Sequence, residues 1–321
     1  MSIITAPKSG FQGFFHIEKY RNGRKTYEGS FPNVITDWGL DTLGTQSIWA
    51  LTQRCHLGTG STPPQVSDVH LENSILTASG SSSHGRVDPG GTPGNRGVYA
   101  WGRYTFTFSE GSGNHNFTEV GVGPEWTSSP LWSRQLLRDQ NGNPTTVTKL
   151  NDERLVVTYE LRLYPYSEGV IDGGVQDILG QDFQTRFYLR WDRFGLSVTR
   201  AQGSSGVAYR SHNLGSALFL PTNPTLDVIT SWSSGISWLS YVSGSHYRDV
   251  RITFSPERFN SQEVRGFAVP AFFSSRNSTQ SAIGWIWGLL PVDEVSPNAI
   301  GKDQFETLRV TFRHSWGRHA A

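Results

Sequence analysis

From residue 99 to residue 108 the side chains alternate without a break. Tyr99, Trp101, Arg103, Thr105 and Thr107 fall on one face, and Ala100, Gly102, Tyr104, Phe106 and Phe108 on the other. A period of two sustained over ten residues fits an extended strand with one aromatic face against a core, and no helix. The pattern returns over 155–165, 183–191 and 308–316. Between such runs stand turn formers, and 35 glycines beside 18 Phe, 11 Trp and 11 Tyr make a composition suited to pleated sheets joined by tight turns. Long stretches of Ala, Leu, Glu and Lys are missing. The sequence predicts an all-β chain.

At 321 residues there is room for two domains. Residues 166–182 are rich in Gly and Asp and weak in pattern, which places the expected boundary there: an N-terminal β domain over 1–165 and a C-terminal β-sandwich over 166–321. Two antiparallel sandwich-like domains are expected. An internal repeat supports the division. Residues 107–124 lie on 253–270 without gaps, placing Phe108 on Phe254, and 153–159 lie on 306–312, placing Leu155 on Leu308. The matches are sparse: a duplicated module would account for them, and strand composition alone produces some of them.

Two local features stand out in the first part. Asn22-Gly23 between two alternating runs predicts a hairpin with a type I′ turn. Thr36 or Asp37 followed by Leu40 and Leu43 predicts one short capped helix. Residues 79–97 are nearly all Gly, Ser, Pro, Asn and charge, and read as a surface loop. Within it Ser82, His84, Arg86, Asp88, Asn95 and Arg96 are the candidate residues of an arm that orders against a neighbouring subunit.

Charge and chemistry narrow the function classes. With 28 basic against 27 acidic side chains there is no field to gather nucleic acid or an anionic membrane. No run of about 18 apolar residues offers a membrane span, and the first eight residues do not read as a signal peptide. The single cysteine, Cys55, forms no intrachain disulfide, and alternation sends it and His56 to opposite faces. No zinc spacing, cofactor loop or Gly-x-Ser-x-Gly elbow occurs, and Gly58-Thr59-Gly60-Ser61 runs into Pro63-Pro64 rather than into a helix. Glu110, Glu119 and Glu125, or Asp172 and Asp177, supply acids without the spacing that fixes a hydrolytic pair. The expectation is a protein that is not an enzyme and needs neither metal nor cofactor.

The aromatics are the remaining source of function. Most of Trp126, Trp132, Trp232, Trp238, Trp285, Trp287 and Trp316 are expected in cores. Trp232, Trp238, Tyr241, Trp285 and Trp287 are the candidate contact surface, because indole and phenol rings anchor interfaces and stack on sugars.

Several segments together resemble the virion structural proteins of tailed bacteriophages, those described as tail, tail-fibre or minor structural proteins. They are Asn33-Val34-Ile35-Thr36 with Trp38-Gly39-Leu40-Asp41; Leu57-Gly58-Thr59-Gly60-Ser61-Thr62-Pro63-Pro64; Phe117-Thr118-Glu119-Val120-Gly121-Val122-Gly123; Leu131-Trp132-Ser133-Arg134; Asp139-Gln140-Asn141-Gly142-Asn143-Pro144; and the close Phe312-Arg313-His314-Ser315-Trp316-Gly317-Arg318. The resemblance implies a virion component in the fibre, tip or collar region, made in the host cytoplasm. Its partners would be copies of itself, as a trimer or ring, and other virion proteins. A receptor- or glycan-binding tail module, contacting a host surface, and a capsid decoration protein are the alternatives. The family supplies no catalytic residue.

Overall fold

The computed structural model describes residues 3–5, 8–46, 48–87, 99–164, 171–189, 207–209, 235–254, 262–264, 266–270, 283–290, 300–302 and 307–319, with the single residues 256, 292 and 305. The chain starts with β1 (Ile3–Thr5), then the hairpin β2 (Ser9–Arg21) and β3 (Arg24–Pro32). Asn22 and Gly23 have φ of 51° and 76°, the positive pair that a type I′ turn demands. Next come β4 (Val34–Ile35), α1 (Asp37–Thr42), α2 (Ile48–Leu51) and β5 (Arg54–Gly58). Thr36 is the cap of α1: its hydroxyl accepts from the Gly39 amide and donates to the Leu131 carbonyl at 2.6 Å. The longest strands are β6 (Ser74–Val87), β7 (Tyr99–Phe108) and β12 (Glu153–Tyr164), with β8 (His115–Phe117), β9 (Glu119–Gly123), β10 (Ser133–Leu136) and β11 (Val147–Lys149) between the last two.

The second half holds β13 (Ile171–Ile178), β14 (Gln181–Leu189), β15 (Val207–Tyr209), β16 (Gly235–Trp238), β17 (Tyr247–Phe254), β18 (Gln262–Val264), β19 (Gly266–Pro270), β20 (Ile283–Leu290), β21 (Ile300–Lys302) and β22 (Leu308–Arg318). The chain is all-β.

In the first half the strands run β2-β12-β7-β6-β5-β9-β10-β4 around a curled sheet, and β3 returns to β2. The strand β6 changes partner along its length. Its first part, to Ser79, pairs with β5, and its second part, from Gly80, pairs with β7. Gly80 lies where the strand changes partner, and a Cβ there would stand 2.6 Å from the Phe106 ring. The expected loop over 79–97 is thereby corrected in part. Residues 79–87 form strand, with Ser82 opposite Tyr104, His84 opposite Gly102 and Arg86 opposite Ala100. A ladder bonds backbone to backbone, so polar side chains do not prevent it when a neighbouring strand as regular as β7 is offered. Asp88, Asn95 and Arg96 lie outside the described residues.

The inner faces meet over one continuous core. Phe15, Ile17, Tyr104, Phe106, Val157 and Tyr159 share it with Leu57, Val120 and Val122. Trp132, fully buried ahead of β10, meets Phe11 of β2 edge-on at 6.2 Å and donates its indole N–H to the Tyr159 hydroxyl at 2.7 Å. Burial pushes the Tyr159 phenol up to about 12, so it stays a neutral partner to the indole. Cys55 is in this core and its thiol is raised by burial, whereas His56 faces the opposite side beside Thr77.

The expected boundary at 166–182 does not divide the sheet. Strands β16, β17 and β22 join the first-half sheet through β22, which pairs with β1 and with the start of β2. Val250 and Ile252 of β17 and Leu308, Val310, Phe312 and Trp316 of β22 belong to the same buried cluster as the first-half core. The reason is sequential: the chain returns at its end to the first strands it made.

Pairing in the two halves is similar in part. The antiparallel pairs β2·β3, β4·β10, β9·β10, β5·β9, β6·β7, β7·β12 and β8·β11 have counterparts in β13·β14, β14·β20, β19·β20, β15·β19, β16·β17, β17·β22 and β18·β21. The register agrees where the sequence match is clearest: Phe108 stands opposite Leu155, and Phe254 opposite Leu308. The hairpin turn repeats too, with φ of 59° at Leu179 and 80° at Gly180.

Candidate functional site

The segments that carry the family resemblance converge in space, and their polar groups bond to one another. Glu119, in the all-buried strand β9, accepts from the amides of Gly60 and Asn73 at 2.9 Å and of Glu72 at 3.2 Å. Arg134 of β10 meets the same carboxylate at 2.9 Å, reaches Asp68 at 2.6 Å and donates to the Thr62 carbonyl at 3.1 Å. Loop 59–73 is thus folded over the outside of the sheet around one buried ion pair. Glycines 58 and 60 are required by closeness: a Cβ at either would come within 2.6 Å of the Glu119 carboxylate. Glu72, at the loop's end, accepts from the Thr62 amide, the Thr62 hydroxyl and the Ser61 amide, which hold its carboxyl below the ordinary value.

A second junction ties the first resembling segment to the last. The Trp316 indole donates to the Leu40 carbonyl at 2.8 Å, and Arg318 reaches the Ile35 carbonyl at 2.7 Å and Asp37 at 2.6 Å. Asp41 accepts from the Tyr241 hydroxyl at 2.7 Å, the Ser243 hydroxyl at 2.6 Å and the Gly244 amide. Burial alone would raise Asp41, but these three donors outweigh it and hold its carboxyl below the usual range. Arg248 closes the junction by donating to the Gly44 carbonyl at 2.8 Å.

Tyr241 was a candidate contact residue from sequence, and the structure gives it another task. It is half-buried, stacks on Trp316 at 5.8 Å and bonds Asp41, with its phenol pushed up to about 12 first by burial and then by that carboxylate. It fastens β16 and β17 to α1. Replacing Asp41 with Ala removes three bonds at a half-exposed site. The expected loss is about 1–2 kcal/mol of stability, read in urea melts, with amide exchange accelerating first at Gly244.

Of the other candidates, Trp232 lies outside the described residues. Trp238 ends β16, an outer strand of the large sheet, and Trp285 and Trp287 lie two apart on β20, the middle strand of the sheet β13-β14-β20-β19-β15. Trp132 and Trp316 are core residues, while Trp126 is 60% exposed under the Arg54 guanidinium at 4.2 Å. Among the candidate acids, Glu119 is consumed by Arg134, Glu110 and Glu125 are exposed and apart, and Asp177 caps the Gly180 amide at 3.0 Å.

Sequence reading missed the outer face of the first-half sheet. There Arg162 lies over Phe14 at 4.2 Å and over Tyr99 at 4.5 Å, Arg103 lies over Trp101 at 4.4 Å, and Glu160 bridges both guanidinium groups at 2.6 Å. The signal was present as the outward set of β7, but its partners on β2 and β12 are remote in sequence. Farther along β2, His16, Glu18 and Glu28 bring three ligand atoms within 4.8 Å of one another. The Lys25 ammonium stands 2.7 Å from Glu18 and 2.8 Å from Glu28, so the protein's own cation already balances these acids. Lys25 and Glu28 also line a shallow cleft of about 520 Å³ facing Asp139 and Asn141. Comparison with protein-family models, with curated proteins and with solved structures gave no match.

Proposed function

We propose that this chain is a structural protein of a bacteriophage particle, associated with the tail, that works by assembling with copies of itself and with other virion proteins. One observation carries the reading. The polar residues of the resembling segments, Thr36, Asp41, Glu119, Arg134, Asp139 and Arg318, spend their hydrogen bonds inside the fold, on a helix cap, a loop latch, a turn and the joint between the halves. Such residues fix a shape. Residues that fix shape suit a protein that works by presenting surfaces to its neighbours.

Purified particles test this directly. Mass spectrometry is expected to find the chain in them, and gold-labelled antibody to mark the tail. Label on the capsid surface would favour the decoration protein instead, and particles without the chain would end the virion reading.

A second reading rests on the outer face described above. Phe14, Tyr99 and Trp101 offer half-exposed rings beside Arg103, Glu160 and Arg162 on a rigid sheet, the mixture of stacking and hydrogen bonding that suits a sugar. A glycan array probed with the protein and with Trp101→Ala decides it: a signal lost in the variant supports a receptor-binding module, and an array without signal removes it.

A further inference from the structure

Among the described residues the halves part at two positions: β5 pairs with β6 whereas β15 and β16 lie in different sheets, and the β2·β12 pair has no counterpart beside β22. In the first half β12 is flanked on one edge by β7 and on the other, over all its twelve residues, by β2. In the second half β22 has β17 where β12 has β7. By the same scheme its other edge would belong to β13, the counterpart of β2. Among the described residues β13 keeps β14, as β2 keeps β3, but does not pair with β22; β1 stands beside β22, Ile3 opposite Thr311 and Thr5 opposite Arg313, while also lying against β13. β1 and the start of β2 both run parallel to β22, whereas β2 runs antiparallel to β12. This edge of β22 is thus covered by residues from the far end of the chain.

The seat is separable from the rest. Beyond it β2 is locked independently, with Ser9 opposite Trp316 and Gly10 so close to His319 that a Cβ would stand 2.9 Å away. Residues ahead of Lys8 can therefore leave without disturbing β2. Leaving costs only the hydrogen bonds of a three-residue ladder. Both Ile3 and Thr5 are exposed in their seat. Backbone pairing does not distinguish one copy's strand from another's, so an identical strand from a neighbour fits the same seat with the same bonds.

We propose that the edge of β22 between β17 and β13 is a strand-exchange seat, which in the assembled protein receives residues 3–5 of a second copy of this chain. The exchange rests on the assembly reading above and names its contact. Neighbours held side by side in a particle replace the high effective concentration that keeps the strand intramolecular in an isolated chain.

Cysteine pairing tests it in the full-length protein. Ile3→Cys and Thr311→Cys are made singly and together; Cys55 is fully buried and does not compete. Mixing the two single variants under mild oxidation is expected to give a disulfide-linked dimer on a non-reducing gel, absent from either variant alone. The double variant is expected to give an interchain ladder. A double variant that yields only an internally bridged monomer, with no cross-link in the mixture, overturns the exchange. So does a double variant that forms no bridge at all, because then the seat is wrong. Sedimentation separates the two levels: an oligomer without cross-linking leaves assembly standing by another surface, and a monomer at every concentration removes the assembly reading as well. Deleting residues 2–5, with circular dichroism to show the fold intact, is expected to abolish the oligomer, and an unchanged oligomer counts against the seat.

Discussion

Glu119→Ala is expected to destabilise the protein by about 3–5 kcal/mol, among the largest effects of any single polar substitution among the described residues. The carboxylate is fully buried and answers three backbone amides and one guanidinium at once. Truncation strands all of them. The Gly60 and Asn73 amides lose their acceptor, and Arg134, itself only 3% exposed, keeps Asp68 but loses its inner partner. A buried pair broken from one side costs far more than the pair contributes, because the remaining charge stays out of water. Chemical denaturation should show the loss, and limited proteolysis should cut within 59–73 first. A change under about 1 kcal/mol, with the loop still resistant, would mean that water or Asp68 takes over the role of the carboxylate. Glu119→Leu with Arg134→Met serves as the comparison. Removing both charges is expected to cost less than Glu119→Ala alone.

How much of this was readable beforehand depended on distance along the chain. The type I′ hairpin, the Thr36 cap and the aromatic face of β7 all follow from neighbours within a few positions, and all are present. The sequence match of 107–124 with 253–270 was sparse, yet it set Phe108 on Phe254 and Leu155 on Leu308, the residues that pair in the same register in both halves. What escaped was long-range. Asp41 and Tyr241 are separated by 200 positions, and nothing local in either residue announces the other. The strand at 79–87 escaped for a different reason: composition describes what a segment can bury, but a ladder is decided by the strand beside it. The joining of β22 to β1 and β2 escaped as well, because a boundary drawn from composition presumes that neighbours in sequence share a sheet.

Acid is expected to weaken the fold well above the range where its carboxylates titrate. Two histidines are held neutral by burial: His56, pushed down to about 4, and His314, pushed down to about 3. For His56 burial leads, a bond at the Glu125 backbone opposes it, and the nearby Arg54 adds to it. For His314, opposite Arg248 on β17, burial is the cause. A depressed histidine favours the folded state only while both states are neutral. As pH falls below about 6.5 the unfolded chain takes up protons that the folded chain refuses, so stability declines until the folded values near 4 and 3 are reached. Each histidine then accounts for about 2 kcal/mol lost between pH 7 and pH 5, at 1.36 kcal/mol per unit. The lowered carboxylates, Asp41 and Glu160 among them, add their own loss only below their ordinary range. Urea melts at intervals from pH 7 to pH 5 should show the decline, and His314→Gln should remove about half of the slope there whatever it does to stability at pH 7. A flat profile in the wild-type protein would show that both rings gain protons as readily folded as unfolded. The protein is thus expected to be most stable near neutral pH, where both rings are neutral folded and unfolded.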